Sequence, residues 1–274
     1  LIDAATTQYG VPAENVTYLA EKPELAPGRI DNRSLRENIE AAIRSIADRA
    51  APRDHVVIAL FGHGSFTDTA RINLPRQDLS AEEFAVLLDA LQAQHVTFVN
   101  TTSASGPFLE KLSGPDRTVM TATKTGAERN ASVFGGYFVA AFADGEAESD
   151  QNKDGRVSVL EAFEYAVAQV ARVYESDGRL QTEHALLDDN GDKEGTREPD
   201  PLTTDGALAR TLFINAGEGA GIAGWPDDPA LRVLYQERLD LQEQIEALQA
   251  TRGGTDETRY QSEIETLLVS IALK

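Results

Sequence analysis

The chain has 274 residues, enough for one large domain or for a domain of about 200 residues with an appendage. Hydrophobic residues make up 41% and charged residues 26%, the balance of a globular protein. Acids outnumber bases by 45 to 25, and the net charge of −20 argues against non-specific binding to nucleic acid or anionic membrane; cysteine is absent, which excludes disulfides, thiolate zinc sites and a thiol nucleophile.

The acidic surplus suits cation binding, a basic partner or solubility alone. No apolar run approaches the roughly 20 residues that span a bilayer, and no signal peptide is visible. The opening Leu1-Ile2-Asp3-Ala4-Ala5 reads as the middle of a helix, so the chain is expected to be a fragment of a longer protein. The lack of a targeting signal therefore says nothing about compartment.

In chain order, Val16-Thr17-Tyr18-Leu19 reads as a short strand after the Gly10-Val11-Pro12 turn. Asn32 is placed to cap a helix through Leu35, Ile39, Ile43 and Ile46, at helical spacing. The apolar run His55 to Phe61 predicts a strand covered on both faces of a parallel sheet, ending in Gly62-His63-Gly64. Ser80 with Glu83 forms a capping-box pattern ahead of Phe84, Leu87, Leu88 and Leu91. Further strands are expected over 95–99 and 117–122, and a helix over 133–142. Strands alternating with helices predict a mostly parallel α/β sheet with helices on both faces. Ligands in such sheets bind beyond the carboxyl ends of the strands, where Gly62-His63-Gly64 and Thr101-Thr102-Ser103 both lie.

Beyond residue 215 a glycine-rich stretch, Gly217 to Gly224, leads into Trp225-Pro226. Leu234, Leu241, Ile245 and Leu248 fit a heptad seam, Gly253-Gly254 breaks it, and Tyr260, Ile264, Leu267 and Ile271 resume it. The pattern predicts a helical hairpin over 216–274. It either packs on its own domain or serves as an arm for association.

Asp150 to Glu161 fits the twelve-residue calcium loop. Side-chain oxygens fall on Asp150, Asn152, Asp154 and Ser158, Arg156 offers its carbonyl, and Glu161 supplies two oxygens at the last position. Gly155 permits the sharp turn and Val157 is the apolar packing residue. With one complete loop in the chain, the expected ion is a structural Ca2+ rather than a signalling switch. A second acidic stretch, Asp188 to Glu194, has its glycine misplaced for this loop and Pro199 where the last acid belongs. It reads as an Asx-rich turn or as an irregular second calcium site.

His63 between two glycines is either an exposed functional imidazole or an idle loop residue. The hydroxyls of Thr101, Thr102, Ser103 and Ser105 either include a nucleophile or cap the helix starting near Pro107. Strand-Gly-His-Gly followed by strand-x-x-Cys-x-Ser-Gly is the layout of caspase-like cysteine peptidases, including legumain-like and metacaspase-like enzymes. The region 1–175 resembles that family. His63 matches its catalytic histidine, Ser105-Gly106 its Ser-Gly, and Ser103 stands where its cysteine should be. The segment Gly10 to Val16 is similar to bacterial members. The resemblance implies a caspase-like domain over 1–215, with the calcium loop 150–161 inserted and its first core strand preceding residue 1. It also implies a substrate pocket near Thr121, Thr123, Lys124, Glu128 and Arg129. There Glu128 would favour a basic residue and Arg129 an acidic one, unless the two pair with each other.

Serine in place of the thiol leaves three explanations: a natural pseudopeptidase, a serine introduced to inactivate a peptidase, or a working serine hydrolase. Thr101-Thr102 stand where the family carries an acidic and a small residue, which favours the first. The expected function is therefore a non-catalytic binding or regulatory domain stabilised by calcium, with a protein or peptide partner. The alternative is a peptidase using a dyad of His63 and residue 103. Extracellular calcium and the lack of cysteine suit a periplasmic or extracellular setting.

Overall fold

The computed structural model describes residues 1–143, 146–214 and 257–272, together with the helical positions Leu234, Glu237, Leu241, Gln244, Ile245 and Leu248. The chain divides into two compact units, Leu1–Ala220 and Gly221–Lys274.

In the first unit the main sheet has four strands: β3 (His55–Leu60), β7 (His95–Asn100), β8 (Arg117–Thr121) and β9 (Leu186–Asp188). The first three run parallel, and β9 closes the edge antiparallel to β8. Side chains of a strand point alternately to its two faces. Val96, Phe98, Val119 and Leu186 therefore share one face, which packs with Ile39, Ile43 and Ile46 of α1 (Arg36–Arg49), Phe84 and Leu88 of α2 (Ala81–Leu88), and Phe108 and Leu112 of α3 (Pro107–Leu112). Val99, Met120 and Leu187 face the other way, onto α4 (Phe134–Ala143) and α6 (Val159–Ser176). The α/β expectation, with helices on both faces, holds.

Each helix has a local cause. Phe134, Phe138 and Phe142 recur every four residues along α4, with ring centroids 6.0 and 5.4 Å apart. Two helices open on complete capping boxes: Ser80 with Glu83 in α2, as the sequence predicts, and Ser158 with Glu161 in α6. A short helix, α5 (Glu146–Ser149), leads to the acidic loop before α6.

Several local expectations are corrected. Of the first expected strand, Val16 to Leu19, only Leu19 is paired, within β1 (Leu19–Ala20) against β2 (Asn32–Arg33). Asn32 thus belongs to a strand and caps no helix; its Oδ1 accepts the neighbouring Arg33 N–H. Helix α1 begins at Arg36 with no side-chain cap. A three-stranded antiparallel ribbon not foreseen from the sequence follows His63: β4 (Gly64–Phe66), β5 (Ala70–Ile72) and β6 (Leu79–Ser80).

In the second unit, the seam positions Leu234, Leu241, Ile245 and Leu248 are all helical. A helix runs from Glu257 to Ala272. Ile245 and Tyr260 are buried, while Leu268 and Val269 are exposed. The expected Gly253-Gly254 break and the glycine-rich Gly217 to Gly224 stretch lie outside the described residues. No helix among the described residues is long and apolar enough to cross a membrane.

Candidate functional site

The β3–β7 register pairs Leu60 with Asn100, so the turns after these strands are neighbours. Thr101 ties them together: its N–H and its hydroxyl both donate to the Leu60 carbonyl, at 3.0 and 2.8 Å. Asn100 is fully buried, and its Oδ1 accepts both the N–H and the hydroxyl of Thr102. Residues 101–106 are all buried.

The Ser103 hydroxyl is engaged by backbone. It donates to the Gly64 carbonyl at 3.2 Å and accepts the Gly64 N–H at 3.4 Å. His63 is exposed, and its imidazole makes no hydrogen bond or ion pair among the described residues. The two expected dyad residues are thus brought to adjacent strand ends but are not bonded to each other. Exposed Phe61 stands beside His63 in sequence, so this rim combines an aromatic ring with an imidazole.

Glycines make the close approach possible. A Cβ on Gly64 would sit 2.3 Å from the Ser103 carbonyl oxygen, and one on Gly106 would sit 2.3 Å from the Lys124 carbonyl group. Gly62 has φ +149, open to glycine alone at little cost. Ala104 has φ +56 although it is buried and not glycine. Its N–H is fixed by the Glu128 carbonyl at 2.8 Å, which holds this left-handed residue beside Ser103.

The remaining hydroxyls do not cap α3, whose N-cap is Gly106 with no side-chain bond. They join β7 to β8 instead. Ser105 Oγ lies 3.1 Å from Thr123 Oγ1 and accepts the Thr123 N–H, while Thr123 Oγ1 accepts the Gly106 N–H.

Glu128 and Arg129 lie beside this turn but do not pair with each other. The Glu128 carboxylate takes His184 Nδ1 at 2.7 Å, the His184 N–H and the Lys124 N–H. Arg129 donates to the Phe66 carbonyl. Both side chains are therefore held by this domain. Nearby Glu183 is buried, and its carboxylate accepts the Val133 and Phe134 N–H groups at the start of α4, the Ser132 hydroxyl and the Tyr174 hydroxyl. A carboxylate suits a helix N-terminus, where free N–H groups and the dipole both favour negative charge.

At the other end of β3, His55 Nε2 lies 2.8 Å from Thr97 Oγ1 and Nδ1 lies 3.2 Å from the Phe213 carbonyl. Burial pushes its pKa down to about 4, against the opposing pull of the Phe213 carbonyl.

The loop 150–161 has the turn its sequence demands, with Gly155 at φ +82 and Val157 buried. Asp150 accepts the Asp154 and Gly155 N–H groups, Asn152 accepts the Asp154 N–H, and Asp154 accepts the Arg156 N–H. Glu161 accepts the Gln151, Asn152 and Ser158 N–H groups and the Ser158 hydroxyl. The Arg156 guanidinium stacks 3.8 Å from the Phe213 ring centroid. Ser158 bridges to Phe213, which fixes the loop to the chain beyond β9. Among the described residues, no three His, Cys, Asp or Glu side chains stand close enough to hold a metal ion. An ion here would draw on the Asn152 amide, the Ser158 hydroxyl and the Arg156 carbonyl as well as on carboxylates. That mixture is usual for calcium.

In the second acidic stretch, Asp189 accepts the Gly206, Leu208 and Ala209 N–H groups. Asp205 accepts the Asp189 N–H, and burial, with Asp189, Asp188 and Asp192 nearby, pushes its pKa up to about 6.

The sequence matches no protein-family model and no curated protein. Among solved structures, it is similar to the crystal structure of protein GSU0716 from Geobacter sulfurreducens, with 11% identity and a TM-score of 0.43 over 69% of this chain and 83% of that chain.

Proposed function

We propose that this chain is a caspase-like pseudopeptidase: a non-catalytic domain that binds a protein or peptide partner at the β3–β7 rim and is stabilised by calcium. The observation that carries the reading is the Ser103 hydroxyl, bonded to the Gly64 backbone rather than to the His63 imidazole. A serine nucleophile needs a base on its own oxygen, because a hydroxyl is far less acidic than a thiol. The adjacency of the two strand ends supports the caspase-like layout, and exposed Phe61 beside His63 gives the rim apolar and imidazole surface for a peptide. The C-terminal helices offer a second surface for association, and the charge of −20 disfavours nucleic acid. In loop 150–161, Asp150, Asn152, Asp154, Ser158 and Glu161, with the Arg156 carbonyl, would hold the ion and clamp α6 to the sheet.

The test is exposure to a mixed peptide library with products read by mass spectrometry. The chain itself is expected to cleave nothing. Ser103→Cys is expected to cleave, and Ser103→Cys with His63→Ala is not. Cleavage by the unaltered chain would establish the alternative, a serine hydrolase with a His63–Ser103 dyad. Silence from a folded Ser103→Cys protein would remove the peptidase layout altogether. For the ion, a calcium chelator is expected to lower the melting temperature of the chain and not of Asp150→Ala; equal melting curves with and without chelator would refute it.

A further inference from the structure

We infer that His55 is an acid-sensitive latch: while its imidazole is neutral it holds residues 209–214 against the main sheet, and when protonated it releases them together with loop 150–161. The starting observation is how much converges on Phe213. Its carbonyl meets His55 Nδ1 at 3.2 Å, its backbone bridges to Ser158, and the Arg156 guanidinium lies 3.8 Å from its ring centroid. One residue earlier, the Leu212 carbonyl accepts the Val159 N–H at 2.8 Å, at the start of α6. Behind this point Asp189 anchors the segment by accepting the Leu208 and Ala209 N–H groups. Of these ties, His55 supplies the one to β3.

The hydrogen bonds of the ring define its charge state. A neutral imidazole has one donor and one acceptor nitrogen. Phe213 offers a carbonyl, so Nδ1 donates; Nε2, 2.8 Å from Thr97 Oγ1, then accepts the Thr97 hydroxyl. Protonation puts a hydrogen on Nε2 as well, so the fully buried Thr97 hydroxyl must turn round, and its own hydrogen loses its acceptor. The Thr118 hydroxyl, beside it in the β7–β8 register, is buried and bonded to nothing, so it does not take that hydrogen. No carboxylate is bonded to the ring to balance the new charge. His95, the register partner of His55 on β7, takes a charge of the same sign, and its Nδ1 lies 3.4 Å from Asp116. Asp54, next in the chain, is turned to the Ala51 N–H. Arg210 lies in the segment itself, and Arg156, 3.9 Å from Asp154, lies over Phe213. Burial, helped by His95, holds the His55 pKa near 4 against the pull of the Phe213 carbonyl. Water relieves such a charge. The cover that can lift to admit it is the segment, where Phe213 and Ile214 are half-buried, and not β7, where Val96 to Asn100 are all buried.

The inference rests neither on the caspase-like reading nor on an ion in loop 150–161, so the chain is studied in the presence of a calcium chelator. Amide protection factors are followed residue by residue by NMR hydrogen exchange from pH 7 to pH 5. With a ring pKa near 4 when closed and 6.5 when open, protection of the Val159 N–H is expected to fall about twentyfold over that range. The Thr101 N–H, bonded to Leu60 across β3 and β7, is expected to hold its protection. His55→Gln keeps a donor for the Phe213 carbonyl and cannot titrate, so Val159 protection there should change by less than about twofold. A flat Val159 profile in the unaltered chain, a fall matched by Thr101, or the same fall in a folded His55→Gln would overturn the proposal. Should that variant fail to fold, the ring resonances of His55 in the unaltered chain decide: a titration midpoint near 4 supports the latch, and one at the ordinary 6.5 overturns it.

Discussion

The ends of β3 and β7 sit side by side, yet they are built in opposite ways. The β3 end is open: Phe61 and His63 face solvent, on a turn that Gly62 makes with φ +149. The β7 end is closed: every residue from Thr101 to Gly106 is buried and its hydroxyls are bonded within the protein. The Ser103 oxygen is tied to the Gly64 backbone beneath the histidine turn, and the exposed part of this rim is the histidine side.

The largest effect that would break this contrast lies in the closed end. Gly106→Ala places a Cβ 2.3 Å from backbone atoms of Lys124, so it should destabilise by about 3 kcal/mol in chemical denaturation. Gly136→Ala, with nothing within 4 Å of its Cβ on the exposed side of α4, should raise stability by about 0.5 kcal/mol. Similar losses for both would mean that the turn is not closely packed.

The second effect lies at the opposite end of β3, on His55. His55 has a folded pKa near 4 against an ordinary 6.5, so between those values the unfolded chain binds the extra proton. Stability is complete above pH 6.5 and falls as pH drops towards 4, by on the order of 3 kcal/mol. His55→Gln should flatten that part of the stability–pH curve; an unchanged slope would move its origin elsewhere.

Smaller again is Ser103→Ala, which removes a donor from the Gly64 carbonyl and should cost about 1 kcal/mol in melting experiments. His63→Ala should change stability by less than about 0.5 kcal/mol, because the ring has no partner among the described residues. A larger loss from His63→Ala than from Ser103→Ala would reverse the reading of the two ends.

The sheet was legible where its causes are local. The apolar runs of β3, β7 and β8 and the Ser80–Glu83 box signal themselves within a few residues. The ribbon β4–β6 and strand β9 did not, because each strand spans only two or three residues and pairs only in its tertiary setting. Asn32 looked like a cap because a helix follows, but the chain pairs it with Leu19 first. Of the site, His63 and Ser103 could be placed at neighbouring strand ends, since parallel topology alone dictates it. Their separation could not, because it depends on how Gly64 meets the 101–106 turn. Glu128 looked like a partner for Arg129 because they are adjacent in sequence. Its actual partner, His184, is 56 residues away. Glu183 carried no motif at all: its role at the start of α4 exists only once the helix has been laid beside it.

The Thr101–Leu60 bond joins residues 41 positions apart, and the Gly106–Thr123 bond adds a second crossing between strands. Such contacts are late events in folding, since the loops between them must first be closed against chain entropy. The hydroxyl-bonded turn therefore forms late, once β3, β7 and β8 are aligned, and local opening of the sheet would release it before the domain as a whole unfolds.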